Sequence, residues 1–566
     1  MRRAPGSMTR GRARRGRPPS RQPDAGEISV VRARQHGLLR KLTGRFYRHT
    51  LIGRSPAGIA LKVGRAWPAD LDRGSAIAAG DLERARKLVQ KALPPSLAAT
   101  DAEQADAAWH GFDWLGDLVE AGPTGREAAR KLILNWLGEP LDFDSVAWRS
   151  DVLATRLCAW ISHFDDIFAE QQPALRQTIL SSLARQHRHL ARVAGRDING
   201  AGRLRALKGL AIGTLALGAS ATRRTRALAA LDRQLPTQFF ADGGHRSRSP
   251  SLQLQVVQDL VELRSWLRAA GLEISSTLQD TIERAAPMLR LFRHADRRLA
   301  LFNGSVEEDG VLIDLVLTQS ETRGRSPMRA TEAGFERLQA DNTVVLFDAG
   351  ARPPDEFDAF AHAGALSFEM SYGRERVIVN CGAYRGPKPN WWRIARTSAA
   401  HSVLVVADTN STEIRDDGIR RRRPLTVTCE RAEHEGRQWV SATHDGYRER
   451  FGLIYTRELF LAADGRDLRG EERLTGRPGA RFAVRFHLHP AVEAAQVEGE
   501  NTAVLRLPSG VGWRLRAIGA EMSLGESIYL GSGEARKTQQ VVLSGAAAPG
   551  GTSVRWALRR EPDGAG

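Results

Sequence analysis

The chain is poor in cysteine and contains no long apolar run. Its three cysteines, Cys158, Cys381 and Cys429, are odd in number and far apart in 566 residues. Such spacing argues against a disulfide framework and against a zinc ribbon, and it predicts reduced thiols. No run of about 18 apolar residues is present, so the sequence predicts no transmembrane segment.

Several motifs of nucleotide and nucleophile chemistry are also absent. The sequence has no Gly-Lys-Ser/Thr phosphate loop, no Gly-x-Ser-x-Gly elbow and no Cys-x-x-Cys pair. These absences argue against P-loop nucleotide hydrolysis, serine-esterase chemistry and zinc-ribbon roles.

Positive charge is concentrated at the N-terminus. Residues 1–48 contain 14 Lys and Arg against two acidic residues, which gives +12 of the net +18. The Arg-, Gly- and Pro-rich residues 1–28 predict a disordered basic tail, either a solvated extension or an arm for anionic lipid, nucleic acid or polysaccharide. No apolar segment of about 7–15 residues follows the arginines, so we see no secretory signal, and Met8 is an alternative start.

Helical periodicity follows, and we assign residues 29–300 to a helical domain. Apolar residues recur at every third or fourth position over 81–93, 126–137, 173–193, 203–218, 252–271 and 277–294. Pro173 stands at the predicted start of one of these helices.

Near residue 295 the apolar period changes from 3.6 to 2, and we assign residues 301–566 to a β domain. More than ten short alternating segments, 299–304 and 311–318 among them, are separated by Gly, Asp, Asn and Pro turns. Strands without intervening helices predict an antiparallel sandwich. A cleft between the two domains is where a ligand commonly binds.

The stretch 360–402 resembles the signature of the heparinase II/III family of polysaccharide lyases. That signature is His-x-His-x-Asp-Ala-Leu-Ser-Phe, then Val-Asp-x-Gly-x-Tyr, then Arg-x-Thr-x-Ala-His-Asn. This chain reads Phe-Ala-His-Ala-Gly-Ala-Leu-Ser-Phe at 360–368, Val-Asn-Cys-Gly-Ala-Tyr at 379–384 and Arg-Thr-Ser-Ala-Ala-His-Ser at 396–402. The resemblance covers most of residues 80–560 and implies an (α/α) toroid followed by an antiparallel β-sandwich.

The resemblance implies β-elimination at a uronic acid. This reaction needs a neutralised carboxylate, a base for the C5 proton and an acid for the leaving oxygen. The family's catalytic histidine falls on Phe360. Its catalytic tyrosine, from a Ser-Pro-x-Tyr-His motif, falls on Leu252. Neither side chain can transfer a proton, so both the catalytic histidine and the catalytic tyrosine of the family are missing from this chain.

The resemblance also implies a metal site for zinc or another divalent ion. Its ligands map to His362, Asn380 and His401, where an Asn amide replaces the family's carboxylate and weakens the site. The alternative is a pair of packed histidines that hydrogen-bond to backbone and to Asn380.

Other residues could supply catalysis in place of the missing pair. His245 lies in a Gly-rich loop beside Arg246 and Arg248, which could neutralise a substrate carboxylate; otherwise it is a loop histidine without a chemical role. Asn199 lies near the family's carboxylate-neutralising asparagine, although Asn-Gly is also an ordinary turn. Tyr384 matches the turn tyrosine and is either catalytic or packed.

Trp391, Trp392 and Arg393 form a cluster after a Pro-rich turn. Aromatic faces stack on sugars and Arg binds carboxylate or sulfate, so the cluster suits an acidic glycan; the alternative is a buried anchor of the turn.

The hypothesis is a polysaccharide lyase-like protein that cleaves a uronate-containing glycan by β-elimination. The alternative is a catalytically silent glycan-binding or envelope-assembly protein with the same fold. In either case the expected partner is an acidic polysaccharide and not a specific nucleic acid. The resemblance implies a periplasmic or envelope location, whereas the N-terminus without a signal favours the cytoplasm.

Overall fold

The computed structural model describes residues 101–562, except 140–141, 143–144, 386–388 and 415–424. The predicted tail 1–28 and the predicted helix 81–93 lie outside the described residues. Within them, a helical half precedes two antiparallel sheets. None of the described helices combines the length and the apolar character needed to cross a bilayer.

The helical half contains eleven described α-helices. They are α1 (Asp101–Gly111), α2 (Leu115–Glu120), α3 (Pro123–Gly138), α4 (Ser150–Ser162), α5 (Phe164–Phe168), α6 (Pro173–Val193), α7 (Gly200–Ala216), α8 (Ala221–Gln238), α9 (Pro250–Ala269), α10 (Ser276–Leu291) and α11 (Gly310–Gln319). Pro173 begins α6 as predicted. The Ser249 hydroxyl caps α9 by accepting a hydrogen bond from the Leu252 N–H.

Helix α7 is central to this half because it packs against α4, α8 and α9. A Cβ on Gly209 would lie 2.5 Å from the Cβ of Ala154 on α4, and one on Gly213 would lie 2.4 Å from the His187 ring on α6. The absence of side chains at these two positions lets the neighbouring helices approach α7 closely.

The helical half extends further along the chain than the apolar pattern predicted. Residues 311–318, predicted as a strand, belong to α11, and residues 299–304 contribute only an isolated bridge between Leu299 and Arg293. The reason is local capping: the Asp309 carboxylate accepts a hydrogen bond of 2.8 Å from the Val311 N–H and starts a helix there.

The strands form two antiparallel sheets. The nine-stranded sheet contains β1 (Arg329–Ala330), β2 (Phe335–Ala340), β3 (Thr343–Asp348), β4 (Phe368–Tyr372), β5 (Glu375–Val379), β11 (Arg481–Leu488), β16 (Arg536–Ala546) and β15 (Glu521–Tyr529) in that order, with β6 (Leu404–Val406) paired to β11. The eight-stranded sheet contains β12 (Glu493–Gln496), β13 (Thr502–Arg506), β14 (Gly512–Ile518), β17 (Thr552–Arg560), β10 (Asp467–Gly476), β9 (Leu453–Leu461), β8 (Arg437–His444) and β7 (Val427–His434). Two short helices, α12 (Pro389–Ala395) and α13 (Arg448–Phe451), lie between strands.

Alternating side chains fill the core of the predicted sandwich. Phe368 stacks on Trp556, and Phe486 meets the same indole edge-on, so the two sheets interlock through aromatic rings. Arg457 and Glu472 form an ion pair in this core with both side chains fully buried. The Arg457 guanidinium also donates to the carbonyls of Leu366 and Ser402, 2.7 Å each, and so holds the loops above it.

A set of buried polar contacts, here called the junction clasp, ties the helical half to the nine-stranded sheet. Arg248 pairs with Asp348 and donates to the carbonyls of Ala333, Gly334 and Ala351. Both charged side chains of this pair are 4% exposed.

The clasp continues on the other side of the junction. His294 contacts the Glu369 carboxylate at 3.0 Å, and Arg376 pairs with Asp296 at 2.7 Å. Because buried charges need partners to remain in place, these contacts fix how the two halves meet.

Candidate functional site

The two predicted histidines lie in loops that strands of both sheets support. His362 lies before β4 and His401 follows a 3-10 turn over residues 398–400, yet His362 Nδ1 is 3.0 Å from His401 Nε2. His401 Nδ1 is 2.7 Å from the Thr397 carbonyl, which can only accept. His401 Nδ1 is therefore the donor, His401 Nε2 accepts from His362 Nδ1–H, and His362 Nε2 carries a lone pair.

Burial keeps both imidazoles neutral. Desolvation, with further contributions from His401 and Arg396, holds the pKa of His362 well below its usual value. Desolvation likewise lowers the pKa of His401 to about 4, against a smaller opposing effect of the Thr397 carbonyl. Neither ring is a proton acceptor of useful strength at neutral pH.

Asn380 follows β5 and lies beside the histidine pair in the chain fold. Its Oδ1 accepts a 3.0 Å hydrogen bond from the Ser402 N–H, and its own backbone N–H donates to Glu369 Oε1 at 2.9 Å. Its Nδ2 is buried and has no hydrogen-bond partner among the described residues. The oxygen that could ligate a metal is thus used by backbone, and an amide nitrogen does not bind metal ions in its place.

The donor set therefore fits the three-ligand ion site that the resemblance implies only weakly. His362 and His401 are close enough to share one ion, but Asn380 supplies a neutral amide oxygen that already accepts one hydrogen bond, in place of a carboxylate. No cluster of three His, Cys, Asp or Glu side chains suited to a metal occurs in the described part of the chain. A bound divalent ion stays a prediction, which the histidine pair alone would have to support.

A narrow cleft opens beside His362. Its cavity volume is only about 20 Å³, and its lining comes from three segments of the β domain and one from the junction. The lining residues are Gly304, Phe360, His362, Ala383, Tyr384, Arg385, Trp392, Ala395 and Arg396. Phe360 thus occupies the wall where the resemblance places the catalytic histidine.

The aromatic cluster of the sequence contributes to this cleft. Trp392 lies under the Arg396 guanidinium, 4.3 Å from carbon to ring centroid, and Trp391 contacts Tyr384 at 6.0 Å between rings. Arg393 is exposed on the same short helix, α12. His362, Tyr384 and Trp392 therefore line one cleft, and their roles stay predictions.

Two arginines of the cleft were not predicted as site residues. Arg396 donates from Nε to the Ala361 carbonyl at 2.9 Å, and Arg385 pairs with Glu308 at 3.0 Å. Burial lowers the pKa of Arg385, whereas Glu308 opposes the shift. The spacing of Trp392 and Arg396, one helical turn apart, is the signal that could have revealed the stacked pair.

His245 is buried and makes hydrogen bonds and ring contacts within the protein. Its Nδ1 is 2.8 Å from the Ser247 hydroxyl, its Nε2 is 3.2 Å from Gln238 Oε1, and its ring meets Phe357 edge-on. Desolvation lowers the pKa of His245 to about 3. It is not among the described residues that line the cleft, and its exposure is 1%.

The arginines beside His245 are also engaged elsewhere. Arg248 belongs to the junction clasp, so its guanidinium is not available to a substrate, which differs from the expectation. Arg246 lies over the Phe240 ring at 5.2 Å. Asn199 is exposed at the N-terminus of α7 and makes no side-chain cap there. None of these three residues lines the described cleft.

Leu252, where the resemblance places the catalytic tyrosine, lies in the first turn of α9. It is 8% exposed and packs in the apolar core of the helical half. The neighbouring Ser251 hydroxyl accepts from the Val306 N–H at 3.2 Å, and Ser249 contacts Ser305 at 3.0 Å. This segment holds the junction together and offers no proton donor to the cleft at position 252.

Comparison with known proteins agrees with this architecture. Residues 322–557 match the profile of the family described as "Heparinase II/III-like, C-terminal". A crystal structure of heparinase III superposes with a TM-score of 0.71 at 14% identity, covering 94% of this chain and 91% of that one. A mutant of heparan sulfate lyase HepC from Pedobacter heparinus gives a TM-score of 0.61 at 16% identity, covering 95% and 91%.

A curated relative is more similar in sequence. FtsZ-localized protein C of Caulobacter vibrioides is 29% identical over 527 residues, which cover 89% of this chain and 91% of the relative. The heparinase III-like fold confirms the predicted helical toroid followed by an antiparallel sandwich.

Proposed function

The chain is a member of the heparinase II/III-like family, and from that premise we propose that it binds an acidic glycan in the cleft without cleaving it. The observation that carries the proposal is the pair Phe360 and Leu252 at the two positions of proton transfer. An elimination needs both a base and an acid, and neither hydrocarbon side chain can serve as one.

The remaining polar groups of the cleft support binding better than catalysis. His362 and His401 are buried, neutral and hydrogen-bonded to each other. Trp392 and Tyr384 offer aromatic faces to a sugar ring, and Arg385 and Arg396 provide positive charge for a carboxylate or sulfate. The mouth of the cleft therefore offers an anionic sugar aromatic faces and positive charge, although the family's two proton-transferring residues are missing.

We extend the proposal to location through the curated relative, which is named for its localisation with FtsZ. The present chain would be recruited to the same structure in the cell. A fluorescent fusion of the full chain should then follow labelled FtsZ, and a fusion that stays uniformly distributed would contradict this part of the proposal.

A second candidate function, the lyase itself, is favoured by one observation. Tyr384 and His362 both line the cleft, and the lone pair of His362 lies on Nε2. Tyr384 could act as the acid and His362 as a weak base, with Arg385 or Arg396 near the carboxylate.

One experiment separates the two functions. The full chain is incubated with heparan sulfate, heparin, hyaluronan, alginate and polygalacturonate while the ultraviolet absorbance of an unsaturated uronate is followed, with heparinase III as positive control. Glycan binding is measured in parallel for wild type and Trp392→Ala. We expect binding that weakens in the variant and no absorbance change. A rise in absorbance that Tyr384→Phe abolishes would replace the binding function by the lyase.

A further inference from the structure

The outer face of the eight-stranded sheet contains a second groove. Its cavity volume is about 330 Å³, against about 20 Å³ for the cleft beside His362. Its floor and walls come from five adjacent strands, β8, β9, β10, β17 and β14. No residue of this groove takes part in the cleft, so the two are separate candidate sites within the described residues.

The strand register aligns one row of side chains across the groove. The directly opposed residues, in order across the five strands, are Trp439, Phe460, Arg469, Ala557 and Arg516. Because neighbouring strands lie about 4.8 Å apart, the row extends over roughly 19 Å, enough for several linked units of a polymer. The small side chain of Ala557 leaves the depression in the middle of the row.

The groove is strongly positive on one side. The outward positions of β14 and β17 hold Arg514, Arg516, Arg555 and Arg559 and no acidic residue. Their side chains are 44%, 67%, 72% and 59% exposed. Arg514 lies directly opposite Arg559, and each has a carboxylate partner, Glu561 at 3.0 Å and Asp467 at 3.1 Å respectively.

Two of the three arginines that line the groove are loosely held, whereas the third, Arg469, is paired with Asp467 at 2.6 Å. Arg516 is 3.7 Å from Glu500 and Arg555 is 3.5 Å from Glu471, with most of each guanidinium in solvent. Contacts of this kind between exposed groups are weak and are easily exchanged for a ligand. The arginine side of the groove is therefore available to an anion.

The opposite side of the groove is aromatic. Trp439 and Phe460 are half-buried side by side, and Arg469 lies over the Phe460 ring at 5.7 Å. The Trp439 indole N–H donates to Glu458 Oε2 at 3.4 Å, which orients the ring. Apolar ring faces next to carboxylate acceptors suit a sugar, whose C–H groups stack while its hydroxyls donate hydrogen bonds.

We propose that this surface, the arginine face, is a second glycan-binding site that takes a carboxylated or sulfated polysaccharide. The chain of sugars would lie across the strands, with one unit on Trp439 and Phe460 and its anionic groups at Arg516 and Arg555. The inference does not depend on the proposed function of the cleft, since no residue is shared.

An acidic peptide fits the arginine face less well. All five strands under the groove are hydrogen-bonded on both sides, so no strand edge is open to pair with a peptide backbone. Glu458 and Glu471 lie among the arginines of the groove and would repel aspartate and glutamate side chains. The same carboxylates accept hydrogen bonds from sugar hydroxyls, so the mixture of charges favours a glycan.

The test measures binding of the full chain to heparin and hyaluronan oligosaccharides by calorimetry at several salt concentrations. Three variants are compared with wild type: Trp439→Ala, the double variant Arg516→Gln/Arg555→Gln, and Trp392→Ala in the cleft. We expect two classes of site in wild type. Each outer-face variant should weaken one class by at least roughly tenfold, equal to 1.4 kcal/mol, while Trp392→Ala leaves that class unchanged.

Several outcomes would overturn the proposal. They are an outer-face variant that binds like wild type, absence of binding to every acidic glycan, and equal binding to a neutral dextran. Polyglutamate that binds more tightly than the oligosaccharides, with the same loss in the double variant, would identify a peptide site instead. Unchanged urea midpoints in the outer-face variants show that the loss is local, as expected for exposed substitutions.

Discussion

The cleft beside His362 and the arginine face differ in how their polar groups are used. At and behind the cleft, the histidines and Asn380 are buried and hydrogen-bonded to the protein itself. On the arginine face, Arg516 and Arg555 are more than 60% exposed and only loosely paired. The polar groups at the cleft are thus engaged by the protein, whereas the outer face has accessible charge.

The positions of His362 and His401 in the fold do not by themselves make these side chains reactive. The fold brings His362 and His401 to 3.0 Å across 39 residues of sequence, yet burial depresses their proton affinity. Imidazoles near a cleft are therefore poor evidence for catalysis unless solvent, a metal or a charge partner sets a suitable pKa.

The largest expected effect comes from breaking the junction clasp. Asp348→Ala leaves Arg248 buried without its ionic partner, which should lower the free energy of unfolding by about 3–5 kcal/mol. The measurement is urea denaturation followed by fluorescence and circular dichroism.

The matched control for this substitution is Glu471→Ala on the arginine face. It removes the 3.5 Å contact with the exposed Arg555 and should cost roughly 0–1 kcal/mol. Similar losses in both variants would mean that the clasp is no more stabilising than a surface pair.

The histidine pair should make stability pH-dependent. The folded-state pKa of His401 is about 4, below the ordinary 6.5, so the unfolded chain takes up a proton first as the pH falls. The contribution of His401 to the free energy of unfolding is complete above about pH 6.5 and is lost as the pH falls to about 4. Between these values the free energy of unfolding should fall by about 1.4 kcal/mol per pH unit, or roughly 3 kcal/mol in all.

His401→Asn removes the side chain that takes up this proton on unfolding. Unfolding free energies measured from pH 7 to pH 4.5 should therefore fall less steeply in the variant than in wild type. Parallel profiles would show that His401 is protonated equally in the folded and unfolded chains. Gln238→Leu, near His245 but away from the pair, serves as a control for general loss of packing.

A substitution at the turn tests whether one atom decides metal binding. Asn380→Asp places a carboxylate oxygen where the unpartnered Nδ2 now lies, and should restore the charged third ligand of the zinc site that the family resemblance implies. At zinc concentrations about 100 times the dissociation constant, the variant should gain about 2.7 kcal/mol of apparent stability.

Wild type should gain much less from the same zinc concentration. Elemental analysis after dialysis, with His401→Ala in the Asn380→Asp background as control, gives the stoichiometry. Equal zinc binding by wild type and variant would mean that the histidine pair alone suffices, and the ion site of the sequence prediction would then stand.

The smallest effect is expected at the aromatic wall of the cleft. Trp392→Ala removes the ring beneath Arg396 and should cost about 1 kcal/mol of stability, since the pair is a partly buried cation–π contact. Trp392→Phe keeps a ring and should recover part of the loss. Thermal midpoints of the three proteins provide the comparison, and a variant as stable as wild type would show that the stack is incidental.

Much of the fold could be predicted from the sequence because periodicity reports burial directly. The helices over 173–193 and 252–271 and the change to period 2 are found where the pattern placed them, within a few residues. Residues 311–318 were assigned the wrong structure because eight apolar-rich residues fit a strand as well as a helix. The Asp309 cap decides between them, and its hydrogen bond is local information that periodicity does not contain.

The candidate site was less predictable. The sequence grouped His362, Tyr384 and Trp392 in one stretch, and all three line the cleft. It could not show that the Asn380 oxygen is taken by the Ser402 N–H, or that Arg248 is taken by the junction clasp. Which partner satisfies a polar group depends on backbone atoms distant in sequence, and residue identity alone does not specify them.

The junction clasp also has a kinetic consequence. Since Arg248, Asp348 and three backbone carbonyls hold the two halves together at buried positions, hinge closure around a ligand would have to break several of these contacts at once. Gly304, the cleft residue at the junction, should consequently keep its place in the free and bound protein. Glycan association should then be a single concentration-dependent phase, with no slower first-order step that reports closure.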